Sequence, residues 1–440
     1  MAQLKITSRM REAFPDREVD FHRSYDAKGN LTETRLTMTE TDYFSGAWSR
    51  VSPDNGRTWG EWVKQFEDEG GVRRNALPDN EFGDEWEDNS DYSDAKARYH
   101  EPSGCYVAFG TDFYLMNGRK GYDAYWEKGE DNFRGHAYYS FKRPDGTIVK
   151  RMFEFEEGGV FFDPKNTRNP AFLDKNRASI SQTQLLPDGD FLCVLTVNMR
   201  LCCKLAGVDV NTFFPSCPDL HVGEVMARIH WNPEKEDFEV TYSNPVMVSD
   251  LQSSRGLTEP VLTTLKSGRM LLVCRGSNCM EKAWNTRTTP GTPGFKWHSY
   301  SDDGGRTFTP VMPWHFDTRE VVYSAGSMFS FFRSTKNGKL YWIGNIINEP
   351  WKIDGNDPRN ILQICEVDET YGYLIKDTLT VIDTIRDGQT DVELSNFGLL
   401  ENRETLELEL RCTKIDFNGD RQEAGQLYSE AWEYFIEFED

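Results

Sequence analysis

Ser52-Pro53-Asp54-Asn55-Gly56-Arg57-Thr58-Trp59 and Ser301-Asp302-Asp303-Gly304-Gly305-Arg306-Thr307-Phe308 are two copies of one phrase, S-x-D-x-G-x-T followed by an aromatic residue. The physics of the phrase is local. The Asp side chain folds back on the turn amides, the Gly supplies an unusual φ, and the aromatic ring packs beneath the hairpin. The phrase is therefore a structural turn, and Asp54 and Asp303 are assigned no chemistry.

Around these turns, long helical periodicity is nearly absent. Short β-like runs recur, broken by Gly, Asn, Asp and Pro. A second phrase, a Gly turn followed by a Leu-rich or aromatic run, appears three times. It reads LLPDGDFLCVLTV around Gly189, LKSGRMLLVCRG around Gly268 and STKNGKLYWIGN around Gly338. KGNLTETRLTM around Gly29 is a weaker copy, and LENRETLELELRC lacks the Gly. The three clear turns are 79 and 70 residues apart, and one sixth of 440 residues is about 73. Such a period fits a propeller blade with loop insertions, because a four-stranded sheet cannot bury both faces alone. In SEAWEYFIEFED, Trp432, Tyr434, Ile436 and Phe438 alternate with more polar neighbours, as in a half-buried strand. A terminal strand that completes the first or last blade removes a sheet edge. The expectation is an all-β chain: a six-bladed β-propeller of four-stranded antiparallel blades with long inter-blade loops, one domain spanning 1–440. Residues 67–100, 201–222 and 276–296 read as insertions, where specificity usually lives.

Charge excludes partners. Lys and Arg number 50 against 72 Asp and Glu, a net charge of -22. A nucleic-acid backbone or an anionic membrane needs a dense basic surface, so neither is expected. No apolar run reaches the roughly 18 residues that span a bilayer. The first residues contain no apolar h-region, which favours the cytoplasm, or the periplasm or medium if a leader has been removed. Nine cysteines without a CxxC pair favour free thiols over a zinc ribbon. No HExxH and no Gly-rich phosphate loop occurs, so no metal and no cofactor is expected. Asn30-Leu31-Thr32 is a glycosylation sequon only if the chain is secreted.

The twin phrases match the Asp-box, and with the blade-sized repeat the chain resembles the sialidase-like propellers. That resemblance implies functional positions. Sialidases carry a Glu at the start of one blade's inner strand and an Arg at the end of the next strand. LTEPVLTTLKSGRMLLVCRGSN places Glu259 and Arg275 sixteen residues apart, flanking the Gly268 hairpin. The hairpin returns Arg275 to the same end of the sheet as Glu259. There Arg can grip a carboxylate bidentately, and Glu can tune a nucleophile or base. NDPRNILQICEVDE resembles the next blade of the family, with Arg359 as a second clamp member. The family uses three arginines, the third in an R-I-P-like strand that this chain lacks; Arg23 and Arg134 are the candidates. Asp42, ten residues before Ser52, is the nearest equivalent of the family's acid/base Asp. The chain departs from the family where a nucleophilic Tyr is due, for DVELSNFGLL holds Asp391, Glu393 and Ser395 instead. Tyr323 opens the preceding blade's inner strand, and inner-strand starts converge on one end of the axis. His100-Glu101 and Ser179–Gln182 share that end, and His298 reads as a packed strand residue.

Three functions follow as expectations. The first is an exo-acting glycoside hydrolase that releases a terminal acidic sugar from an oligosaccharide or glycoconjugate. Asp42 acts as acid, Tyr323 with Glu259 as the nucleophilic or basic pair, and Arg275, Arg359 and Arg134 as the clamp. The second is a lyase on a uronate-containing glycan, with Tyr323 or His100 abstracting the proton. The third is a propeller that binds glycan without catalysis. Oligomeric state is not legible.

Overall fold

A computed structural model of the chain describes residues 4–26, 28–40, 43–67, 86–88, 92–93, 97–115, 133–155, 162–163, 169–216, 218–219, 221–278, 292–389, 391–416 and 428–439. They build an all-β propeller of mostly antiparallel sheets.

Local sequence explains the turns. Ser52 Oγ donates to Asp54 Oδ1 at 2.9 Å, and Asp54 receives the amide and hydroxyl of Thr58 at 2.8 and 2.6 Å. Asp303 repeats the pattern with Ser301 at 2.8 Å and Thr307 at 2.9 and 2.6 Å. The Leu-rich phrases also resolve as hairpins. Gly29, Gly189, Gly268 and Gly338 all stand at positive φ, each between two consecutive antiparallel strands of one sheet. In the last sheet, where Gly is missing, Leu406 takes a left-handed conformation (φ 59°) instead.

Alternation then places the core. In Phe191–Asn198, the side chains of Phe191, Cys193, Leu195 and Val197 pack with Tyr139 and Phe141. Leu192 and Val194 point the other way and pack with Leu262, Leu272 and Cys274. Met270–Arg275 divides likewise, with Leu271 and Val273 joining Trp314 and Trp342. Each such strand is buried on both faces, which is why its sequence reads as an unbroken apolar run rather than an alternating one.

Among the described residues the hydrogen-bonded sheets number five. Glu18–Tyr25, Leu31–Glu40, Tyr43–Ser52 and Val63–Glu67 form the first. The second has nine strands and holds two antiparallel groups, one ending at Phe133–Lys142 and Ile148–Met152, the other beginning at Ala178–Leu185. A single parallel pair, Ala178 with His136, joins them, so the expected separation of blades is lost at that edge. Thr258–Thr264 opens the third sheet, Ser330–Arg333 the fourth and Val392–Glu393 the fifth. The fifth ends on both chain termini. Tyr428–Glu437 pairs with Leu408–Asp416 on one side and with Lys5–Phe14 on the other, from Lys5 opposite Glu437 to Phe14 opposite Ser429. Tyr434, Ile436 and Phe438 are buried as the alternation predicts. The stretch 201–222 holds structure of its own: Asn198 caps a helix, Met199–Ala206, that buries Cys202 and Cys203.

A buried charge cluster seals the seam between the first and fifth sheets. Glu33 is fully buried and receives Arg11 at 2.7 Å, Arg23 at 2.7 Å and Arg50 at 2.8 Å. Arg11 belongs to the N-terminal strand, so this carboxylate ties the ring's last sheet to its first.

Candidate active site

Thr258–Thr264, Met270–Arg275 and the loop 354–359 bring three guanidinium groups to one asparagine. Arg275 Nη2 donates to Asn356 Oδ1 at 2.7 Å, and Arg255 Nη1 reaches the same oxygen at 3.3 Å. Arg359 Nε donates to the Asn356 carbonyl at 2.8 Å. Gly326 lies between Arg275 and Arg359. Arg359 Nη2 donates to its carbonyl at 3.0 Å, and a Cβ on Gly326 would stand 2.8 Å from Asn356 Oδ1 and 3.0 Å from Arg275 Nε. Glycine lets the bend at 326 pass this close to Arg275 and Asn356.

Carboxylates counter this charge. Arg275 Nη1 donates to Glu259 Oε1 at 2.6 Å, with Arg275 at 9% side-chain exposure and Glu259 at 40%. Glu259 sits at a bulge between Thr258 and Val261, in left-handed backbone (φ 47°). Backbone strain of this kind at a non-glycine persists only where the surroundings enforce it. Burial works against its charge, but Arg275, Lys296 and Arg359 outweigh burial and hold its carboxyl below the usual carboxylate range. Among the described residues its Oε2, like Arg275 Nε, has no hydrogen-bond partner. Arg359 pairs with Glu393, which also accepts from Ser395 Oγ at 2.5 Å.

Two further carboxyls have the opposite tendency. Asp357 and Asp391 reach solvent, yet enclosure by the surrounding protein lifts both above the ordinary range. Arg359 opposes the effect at Asp357, while Asp391 and Glu393 add to it. At Asp391 the second cause is repulsion from Glu393. Lys296 is fully buried behind this group, donating to the Ser327 carbonyl at 2.5 Å, and burial pushes its amine well below the usual lysine range. Carboxyls whose surroundings push their acidities in opposite directions are the elements of acid–base chemistry.

Of the positions expected from sequence, Glu259, Arg275 and Arg359 thus come together. Tyr323 does not open a strand as expected: it forms an isolated bridge with Phe295 ahead of the strand Ser330–Arg333, and its ring packs on Phe295 (centroids 5.4 Å apart) beside Ala325, Ile347 and Ile353. None of the hydrogen bonds among the described residues uses its hydroxyl. Asp42 lies outside the described residues. Arg134 stands in the strand Phe133–Lys142, and its side chain lies outside the described part. Arg23 belongs to the Glu33 cluster at the seam, with Trp59 5.1 Å from its guanidinium, and does not reach Asn356. His100 is buried, bonded to Gly189 O at 2.7 Å and Ser103 at 2.8 Å between Phe191 and Phe238, so it is a packed core residue. His298 is packed too, against Tyr300 and His315. Sequence reading missed Arg255 and Asn356. The SRG and GND stretches that carry them look like ordinary turns, and only the fold sets them beside Arg275.

No family model matches the chain, and no curated protein does. A protein of unknown function from Dyadobacter fermentans superposes with 12% identity and a TM-score of 0.47, covering 98% of this chain and 99% of that one. The NanB sialidase from Streptococcus pneumoniae gives 10% identity and 0.49, covering 97% and 70%. A sialidase from Trypanosoma rangeli, in complex with sialic acid, gives 10% and 0.46, covering 98% of this chain and 59% of that longer protein. Scores this low say nothing about what the present chain does.

Proposed function

We propose that this chain is an exo-acting glycoside hydrolase that releases a terminal acidic sugar, on a six-bladed sialidase-like ring with two Asp-boxes. Counting the nine-stranded sheet as two blades divided at its parallel pair gives the six, within one domain. One observation carries the functional reading. Three arginines from separate segments converge on Asn356 in a protein whose net charge is -22. Local guanidiniums of this kind let an acidic protein bind an anion against its own repulsive field. The Asn356 side-chain oxygen stands where an oxygen of a ligand carboxylate would be held.

In this reading Glu259, ionised by Arg275, is the group that activates or stabilises, with Tyr323 as the nucleophile. A protonated carboxyl gives its proton to the leaving oxygen. Asp42 remains one candidate for that acid, and Asp357 and Asp391 are two more whose environment favours the protonated form. Arg134 remains a candidate for the clamp beside Arg255.

Release of nitrophenol from aryl glycosides of N-acetylneuraminate and of glucuronate tests the reading, with Glu259→Gln as control. Hydrolysis abolished by that change supports it. An unsaturated uronate absorbing in the ultraviolet would transfer the assignment to a lyase. A non-catalytic glycan-binding propeller has its own support, since Arg275 and Arg359 already have protein acceptors. Sugar binding that survives Glu259→Gln, with no turnover of either glycoside, would decide for the binder.

A further inference from the structure

Glu224 is the unexplained group of the inner wall. It lies in the strand Val222–Asn232, is fully buried, and faces the third sheet. Among the described residues no Lys, Arg or His pairs with it. The titratable groups around it are Cys202 from the helix Met199–Ala206, Cys274 from Met270–Arg275 and Glu259 from the next inner strand. None of these is a cation. Glu33, equally buried, has three arginines, whereas Glu224 has none.

Its oxygens are unequal. Oε1 is buried without a partner, and Oε2 stands 2.8 Å from Thr196 Oγ1. Thr196 Oγ1 in turn lies 2.8 Å from Ser181 Oγ. Ser181 is exposed on the inner strand Ala178–Leu185, at a bulge between Ile180 and Gln182. Gln182 clasps Leu262 of the neighbouring inner strand through two 2.8 Å hydrogen bonds, which fixes Ser181 relative to the strand that starts at Glu259. The result is a row of three polar groups leading from an uncompensated buried carboxyl to an exposed hydroxyl on the strand that borders the arginine-bearing sheet.

We infer that Glu224 is a positioning residue that keeps a proton on Oε2 at neutral pH, and that the row points outward. Glu224 donates to Thr196, Thr196 to Ser181, and Ser181 presents its hydrogen to a ligand's acceptor oxygen. An isolated buried carboxylate is far costlier than a buried acid, and burial does raise this carboxyl well above the ordinary range. A proton on Oε1 would meet no acceptor, while one on Oε2 meets Thr196. Each hydroxyl can donate only once, so the direction at Glu224 sets the direction at Ser181. The chemistry recognised is an acceptor oxygen, as in a carboxylate or sugar ring. For its ligand the inference rests on the anion-binding reading above; for its proton it does not.

Infrared spectroscopy of the full chain at neutral pH tests the proton directly. A protonated-carboxyl C=O band is expected in the native protein, lost in Glu224→Gln. It should move to higher frequency in Thr196→Val, which removes the hydrogen bond, and hold its place in Thr196→Ser. A spectrum without a band that Glu224→Gln removes, or a band unmoved by Thr196→Val, overturns the inference. If Glu224→Gln does not fold, the Thr196 pair alone decides. In calorimetry with N-acetylneuraminate and glucuronate, Thr196→Val should weaken binding roughly three- to tenfold, and Thr196→Ser should restore it. Failure of both sugars to bind the native protein would sink the anion site, while the infrared bands would still decide the proton on Glu224.

Discussion

Changing Glu33 to Gln removes a charge without changing shape, at a fully buried carboxylate that three arginines share. Arg11 comes from the N-terminal strand, and Arg23 and Arg50 from the first sheet, so the perturbation strikes the seam that closes the ring. Burial alone would raise the Glu33 carboxyl, yet the three guanidiniums bring it down from 4.5 to about 2. A fall of that size corresponds to roughly 3 kcal/mol of stability at neutral pH. The folded carboxyl is the stronger acid, so this stabilisation is complete above the unfolded value of 4.5 and fades as pH falls toward 2. About 2 kcal/mol of it remains at about pH 3.5, roughly 1.4 kcal/mol having been lost. Glu33→Gln leaves three guanidiniums facing a neutral amide, for an expected loss of about 3–5 kcal/mol at neutral pH. Urea denaturation of both proteins at neutral and acid pH measures the gap, which should shrink by about 1.4 kcal/mol at about pH 3.5. A gap below about 1 kcal/mol at neutral pH, or one constant down to about pH 3.5, would refute the claim that the seam is held by charge.

Two glycines at positive φ should respond differently to alanine. At Gly268 a Cβ meets nothing within 4 Å, so only backbone strain of about 1–2 kcal/mol is expected. At Gly256 a Cβ would stand 2.1 Å from the Val222 carbonyl, so denaturation should show a clearly larger loss. Arg275→Lys keeps the charge but loses the fork that spans Glu259 and Asn356; a fall in kcat/KM or in sugar affinity of roughly 10–100-fold is expected. The pH–rate profile should rise as Glu259 ionises, below the ordinary carboxylate range. It should fall as the proton-donating carboxyl ionises, above that range if Asp357 or Asp391 is the donor. Seven of the nine cysteines are free and buried, so a thiol reagent should label at most Cys217 and Cys279 in the native protein.

Sequence made the fold legible wherever structure is decided within a few residues. The two S-x-D-x-G-x-T turns are self-contained, since Asp54 and Asp303 each satisfy amides no more than four residues away. The Gly hairpins are equally local, and their spacing exposed the repeat. What sequence did not show is where two sheets merge, because the pair Ala178–His136 joins residues 42 positions apart and depends on how neighbouring blades abut. The site was legible in the same measure. Glu259 and Arg275 flank one hairpin, so their pairing followed from register. Arg255 and Asn356 are brought together across 101 residues, and Glu224 is hidden in a strand of apolar neighbours. No short-range pattern marks residues whose partners come from another sheet.

Three glutamates show how one side chain acquires different chemistry from the number of guanidiniums within reach. Glu33 has three and is a far stronger acid than usual. Glu259 has Arg275 in direct contact and Arg359 in its field, and it stays ionised against burial. Glu224 has none, and burial, with repulsion from Glu259 adding to it, raises its carboxyl. The order implies that the proton follows the arginine rather than the position in the ring. Arg275→Met should therefore turn Glu259 into a second Glu224, with its carboxyl raised above the ordinary range because burial is left less opposed. A second protonated-carboxyl band at neutral pH, absent from the native protein and removed again by adding Glu259→Gln, is the expected signature. If Glu259 stays ionised after Arg275 is gone, the more distant Lys296 and Arg359 hold its charge, and direct contact is not what sorts these carboxyls.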